Sequence, residues 1–244
     1  ELVEPLRDKQ IERERNVQLV LDDKLRDALI PGLSDMLSGK IKVDVEQLDE
    51  GKRNVVADLT AARLDLPWVG WSKGPGIPGK VAFTMETKDD QSTLSGFELT
   101  GDTFSIKGDV TLADGSLQTA DFDKVRLNRG DDVAVSVKRS GKGFAVRVKG
   151  DSLDARSLIK QFTADTDTAT KSAGSNSVSV NASIGAMTGF NGEKLSNVTV
   201  EYSGAGSRVN GLKANAPPSP AAQLPVRTAA RSAARRAAVR PAAA

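Results

Sequence analysis

Residues 94–150 read LSGFELTGDTFSIKGDVTLADGSLQTADFDKVRLNRGDDVAVSVKRSGKGFAVRVKG, and the alternation inside them decides the fold. Phe104, Ile106, Val110 and Leu112 share one parity while Ser105, Lys107, Asp109 and Thr111 share the other. That is the two-residue period of a strand with one apolar and one wet face. The alternation returns in Val133, Val135 and Val137, and again in Phe144, Val146 and Val148. Between the runs stand Ala113-Asp114-Gly115, Asn128 to Asp132 and Ser140 to Gly143, which carry the Gly, Asn and Asp that tight hairpin turns need. The stretch predicts an antiparallel meander.

A second pattern overlies the first. Leu94-x-x-Phe97-x-Leu99, Phe122-x-x-Val125-x-Leu127 and Leu195-x-x-Val198-x-Val200 step by three and then by two, with Leu59-x-x-Ala62-x-Leu64 a weaker copy. A step of three swaps the faces of a strand unless a β-bulge absorbs one residue, and a bulge also bends the strand. The pattern predicts a curved sheet grown from hairpin-sized repeats.

Outward from this centre the β pattern begins at Ile41, Val43 and Val45, turns at Asp49 to Asn54, and returns through Val55, Ala57 and Leu59. The loop Pro67 to Gly79 (PWVGWSKGPGIPG) holds both tryptophans and is expected to break the sheet into two groups of strands. Val81, Phe83 and Met85 then lead into the meander. Two short helices are expected, one over Leu21 to Ile30 stopped by Pro31-Gly32, the other over Ser152 to Phe162 with Ser152 as its cap. Strands resume at Val178, Val180, Ala182 and Ile184, turn at Phe190-Asn191-Gly192, and end near Leu212. The domain plan is a charged, helix-compatible arm over 1–20, a β-sheet domain over 21–215 and an Ala/Pro/Arg tail over 216–244 expected to be disordered. The first residue is Glu1 with no leader pattern after it, which suggests either a piece of a longer protein or a chain whose start was removed. No apolar run approaches the ~20 residues that cross a bilayer, so an anchor is expected outside the segment.

Composition narrows the chemistry. There is no Cys and no His, which removes thiol nucleophiles, disulfides, imidazole bases and most zinc or iron sites. The formal net charge is +2, but the final 29 residues hold five Arg and no acid, leaving 29 bases against 32 acids, or −3, for residues 1–215. Such a surface is a poor partner for nucleic acid. General acid–base work would rest on carboxylates and lysines, and no constellation gathers them. The reading is non-enzymatic, with no cofactor and no metal.

The remaining motifs have plain explanations. Asp165-x-Asp167 lacks the Gly and closing Glu of a calcium loop. Gly204-x-Gly206 lies between strands, away from any dinucleotide-binding context. Asp89-Asp90 and Asp131-Asp132 are turn acids. Trp68 and Trp71 fit packing at the sheet end better than a membrane interface. Asn181-x-Ser183 and Asn197-x-Thr199 match the glycosylation pattern by chance, and the terminal Arg cluster reads as inert rather than lipid-binding.

The runs DDKLRDALIPGLSDMLSGKIKVDV, VVADLTAARLDLPWVGWSKGPGIPGKVAF and FSIKGDVTLADGSLQTADFDKVRLNRGDDVAVSVKR, with VRVKGDSLDARSLI after them, resemble the YhdP-type, AsmA-like (TamB-like) family of Gram-negative envelope lipid-transport proteins. The resemblance spans roughly Leu21 to Lys213. It implies a long curved sheet with an apolar concave face, anchored at the inner membrane and carrying phospholipid across the periplasm toward the outer membrane. It also implies that Phe83, Met85, Phe97, Leu99, Phe104, Ile106, Val110, Leu112, Val133, Val135, Val137, Phe144, Val146 and Val148 line the groove.

Physics asks for a cover in any case. Each large side chain left in water forgoes ~1.5–3 kcal/mol of burial, and soluble monomers rarely expose apolar patches beyond ~300–600 Å². A sandwich or closed barrel covers the face with the sheet itself, whereas an open groove is filled by acyl chains. The fold class expected is mainly all-β, a curved and twisted antiparallel meander with an apolar concave face and two short helices. The function expected is lipid transfer by phospholipid or another acyl lipid bound in that groove. The alternative is an envelope scaffold that binds other proteins by β-augmentation without lipid. On the groove reading, Ile106→Asp or Val135→Asp weakens lipid uptake more than Lys107→Asp on the wet face.

Overall fold

A computed structural model describes residues 16–29, 34–163, 177–205 and 208–216. The chain opens with β1 (Asn16–Leu21), α1 (Asp23–Leu29), β2 (Leu37–Ser38), β3 (Ile41–Asp49), β4 (Lys52–Asp58), β5 (Arg63–Leu66) and β6 (Trp71–Lys73). The centre holds β7 (Lys80–Lys88), β8 (Gln91–Thr100), β9 (Ser105–Ala113), β10 (Ser116–Arg126), β11 (Asp132–Ser140) and β12 (Gly143–Asp154). After α2 (Arg156–Thr163) come β13 (Ser177–Thr188), β14 (Lys194–Ala205) and β15 (Arg208–Asn215).

Twelve strands form one sheet in the order β1-β3-β4-β7-β8-β9-β10-β11-β12-β13-β14-β15, and β2-β5-β6 form a small second sheet. Among the described residues the large sheet does not close, because β1 and β15 each have one unpaired edge. At ~4.8 Å per strand it is about 53 Å across. The protein is mainly all-β, and every neighbouring pair in the large sheet is antiparallel except β12 and β13, which run parallel. Local alternation in the sequence could not reveal that exception, since parallel and antiparallel strands share one period.

The two long margins of the sheet differ. At one, β3–β4, β7–β8, β9–β10 and β11–β12 are joined by two residues each: Glu50-Gly51, Asp89-Asp90, Asp114-Gly115 and Gly141-Lys142. Asp114 (φ 49°) and Gly115 (φ 69°) are both left-handed, the conformation that lets a two-residue hairpin follow the strand twist. The other margin carries the longer connections, and α1, β2, β5, β6 and α2 all lie within them.

The bulges fall where steps of three stand in the sequence. Register shifts separate Leu94 from Phe97 and Phe122 from Val125. Between Leu195 and Val198 the register with β13 holds, and the irregularity is the left-handed Asn197 (φ 52°). The weaker copy at Leu59 is no strand repeat: Leu59 and Ala62 form a turn, Ala62 N donating to Leu59 O at 3.0 Å.

Several local expectations change. The loop at 67–79 does not break the sheet, since β4 pairs directly with β7 and the loop instead supplies β6 and a 3-10 turn at Pro67–Val69. Residues 16–20, assigned to the arm, belong to β1, where Val17, Leu19 and Leu21 alternate against Val45, Val43 and Ile41. Ser152 does not cap α2, because β12 runs on to Asp154, whose Oδ1 accepts from Arg156 N at 3.1 Å. The rest of the arm, the stop at Pro31-Gly32, the Asp165-x-Asp167 loop and the tail beyond 216 lie outside the described residues.

Candidate functional site: an uncovered apolar face

Paired residues share a face of a sheet, so the register can be read as rows across the strands. Val43, Ala57, Val81, Leu99, Ile106, Val125, Val133, Gly150, Ile184 and Val198 make the row nearest the elaborate margin. The next row holds Val45, Val55, Phe83, Phe97, Gly108, Phe122, Val135, Val148, Ala182 and Val200. Beyond it stand Met85, Leu94, Val110, Ala120, Val137, Val146, Val180 and Tyr202, and then Leu112, Leu117 and Phe144. The opposite face is polar: Glu98 opposes Lys107 with Nζ–Oε1 at 2.7 Å, and Ser136 Oγ donates to Asp121 at 2.6 Å.

Of the side chains expected to line a groove, Phe83, Met85, Phe97, Leu99, Ile106, Val110, Leu112, Val133, Val135, Val137, Phe144, Val146 and Val148 stand on this face. Phe104 does not. It precedes β9, is 3% exposed, and packs edge-on against Trp71 at 5.0 Å between ring centroids. Phe97 meets Phe83 on one side at 6.2 Å and Phe122 on the other at 5.8 Å, the second contact passing over Gly108 of the intervening strand.

The row nearest the elaborate margin is covered; in the rows beyond it Val45, Val55 and Phe97 pack against that core and only Ala120 is buried. The small sheet, the turn at 59–62 and the β8–β9 connection pack Leu37, Leu59, Ala62 and Phe104 onto Leu21, Ile41, Val43, Ala57 and Leu99. Trp71 Nε1 ties this cover to the β10–β11 turn by donating to Leu127 O at 2.9 Å. The cover reaches α2 at Gly70, where an added Cβ would stand 2.8 Å from Ser157 O. Away from this margin, Val55, Phe83, Met85, Phe97, Val110, Phe122, Val135, Val137, Val146, Val148 and Val180 are only half-buried. No second layer lies over them among the described residues.

Among the described residues three buried polar side chains stand at this margin, and alternation did not flag any of them. Lys73, 1% exposed, donates from Nζ to the carbonyls of Leu59 and Ala62 at 2.8 Å, Ile77 at 2.9 Å and Gly74 at 3.2 Å. Burial lowers its pKa, with Asp58 opposing the shift in part. Arg26 pairs with Asp23 at 2.7 Å and Asp27 at 2.8 Å. Asp131 accepts from Asn128 N at 2.7 Å and Asp154 N at 2.8 Å, which is structural work in a turn. The two tryptophans divide: Trp71 packs into the cover and Trp68 is 58% exposed.

The carboxylates at this margin set its acid sensitivity. Hydrogen bonds from Arg26 and Gly39 hold Asp23 below its ordinary 3.8, Thr60 does the same for Asp58, and Arg156 for Asp154. A carboxylate whose folded pKa is depressed stabilises the fold above its unfolded value and loses that contribution as pH falls through the folded value. The unfolding temperature is therefore expected to hold from pH 7 to near 4 and to fall below 3.8. Hydrogen exchange at 23–39 and 154–160 should rise before exchange in β9 to β11, and uniform loosening would contradict the assignment.

Elsewhere a shallow depression of about 480 Å³ lies on the polar side between Asp44, Asp58, Lys80 and Thr100. Among the described residues no helix is long and apolar enough to cross a membrane. No protein-family model, curated protein or solved structure matches the chain.

Proposed function

We propose that this chain is a non-enzymatic lipid-carrying segment that lays acyl chains along the uncovered rows of the apolar face. The observation behind the proposal is a twelve-stranded sheet with one continuous apolar face and cover along a single margin. The two uncovered rows run over ten and eight strands, about 48 and 38 Å, and at ~7 Å each along the strands make roughly 600 Å². That stands at the top of the ~300–600 Å² range of an ordinary monomer. Acyl chains fit such a surface because they need breadth and no polar partner.

The resemblance to YhdP-type proteins extends the proposal to location and direction. The segment would sit in the periplasm of a Gram-negative envelope, part of a protein held at the inner membrane, and pass phospholipid between the two membranes. A second reading rests on the two strand edges that have no partner among the described residues. β1 (NVQLVL) has no charge to discourage pairing, so a partner protein's strand could extend the sheet there.

The test is native mass spectrometry with solvent extraction on the chain purified without detergent. Ile106 packs against the covered core, so Val135, half-buried in an open row, is the better probe. Val135→Asp is expected to reduce bound phospholipid by about tenfold, the penalty of setting a carboxylate against acyl chains, and Lys149→Asp on the polar face by less than about twofold. Equal losses would sink the one-sided face. A lipid-free protein that captures a partner's strand would favour the scaffold.

A further inference from the structure

The uncovered rows are apolar with two charged exceptions, and both are arginines. Arg53 of β4 pairs with Gln47 and Met85, and Arg139 of β11 pairs with Phe144, so both belong to the apolar face. Both stand beside the two-residue turns, at the margin opposite the cover. Neither makes an ion pair among the described residues. Of the acids at this margin, Glu50, Asp89, Asp90 and Asp114 are in the turns beyond the strand ends, and Asp49 closes β3.

The two guanidinium groups are held alike. Arg139 donates from Nε to Leu117 O at 2.8 Å and lies 5.1 Å from the centroid of the Phe144 ring. Arg53 donates from Nε to Gln47 Oε1 at 3.0 Å. Using Nε as the anchor leaves the two terminal nitrogens as a fork, the geometry that takes two oxygens of a phosphate or carboxylate. A cation on an apolar face without a carboxylate partner is costly once that face is dry. An occupant that brings its own anion removes the cost.

We infer that Arg139, with Arg53 as a second station, binds the phosphate of a lipid whose acyl chains lie on the neighbouring valines and phenylalanines. The inference rests on the lipid-carrying reading and adds to it a headgroup site on two named side chains, which would favour a phospholipid over a neutral lipid with the same acyl chains. Five strand spacings separate the two arginines, about 24 Å, enough for two lipids to lie side by side. Headgroups then project at the margin of tight turns, and acyl chains run toward the cover.

The experiment titrates the full chain with dioleoylphosphatidylglycerol and with dioleoylglycerol, which has the same acyl chains and no phosphate, and reads binding by native mass spectrometry. The wild type is expected to prefer the phospholipid at least tenfold, the weight of a charge-assisted bidentate contact. Arg139→Gln should remove most of that preference while leaving dioleoylglycerol binding and the unfolding temperature unchanged, with Arg53→Gln taking a smaller share. Arg139→Lys should restore it in part. Equal binding of both lipids, indifferent to Arg139→Gln, would mean that the arginines only reach past the face into water, and would overturn the inference while sparing the lipid reading. Binding of neither lipid would overturn both. Inorganic phosphate bound as tightly as the phospholipid would make the ligand a free anion and overturn the lipid headgroup.

Discussion

Replacing Lys73 with Met is expected to cost about 3–5 kcal/mol and to detach the small sheet from the large one. The ammonium collects carbonyls from Leu59, Ala62, Gly74 and Ile77 and so joins the turn at 59–62 to the loop at 74–79, which are linked besides by Leu59 N donating to Gly79 O at 2.8 Å and Gly76 N to Thr60 O at 2.7 Å. Met keeps most of the stem's volume against Gly79 and supplies no donor, leaving several buried carbonyls unpaired at about 1–3 kcal/mol each. Denaturant unfolding gives the magnitude, and hydrogen exchange over 59–79 shows whether the loss is confined to the cover. A change below about 1 kcal/mol would mean that water replaces the ammonium, and the lysine would lose its place as the cover's fastener.

Gly108→Ala is expected to cost about 4 kcal/mol or more, the range reserved for direct steric conflict. A Cβ on Gly108 would stand 2.0 Å from Asp121 O and 2.6 Å from Phe122 Cα, both backbone atoms of the paired strand that cannot turn aside. The same residue is the gap over which the Phe97 and Phe122 rings meet. The substitution should therefore open the β9–β10 ladder and disrupt the widest aromatic part of the apolar face together. Gly130→Ala, in a turn where an added Cβ meets nothing within 4 Å, is the control and should be neutral. Equal unfolding midpoints for the two variants would show that β10 can shift to make room.

Whatever depends on near neighbours along the chain was legible. Alternation placed the thirteen strand residues of the apolar face, and the steps of three at Leu94 and Phe122 marked two bulges, because both are consequences of a two-residue period. What depends on distant partners was hidden. That β12 meets β13 in parallel, that loop 67–79 folds back as the edge of a second sheet, and that Phe104 turns into the cover are all decided by contacts far apart in sequence. Lys73 is the sharpest case: a single charge among glycines and prolines looks solvated until the surrounding carbonyls are in place. Arg139 continues the parity of Val133, Val135 and Val137, so its face was readable, but that it makes no ion pair among the described residues was not.

The connections also order the assembly of the sheet. Most neighbouring strands are joined by turns of two to five residues, while the parallel pair β12–β13 is separated by residues 155–176. The entropy of loop closure rises with the logarithm of length, so closing 22 residues rather than two costs about 2 kcal/mol more before any contact repays it. Hairpins from β7 to β12 can therefore zip from one neighbour to the next, and β13 to β15 can do so as a separate run. The seams whose closure spans 21 or 22 residues, β4–β7 and β12–β13, are therefore expected to close after the hairpins.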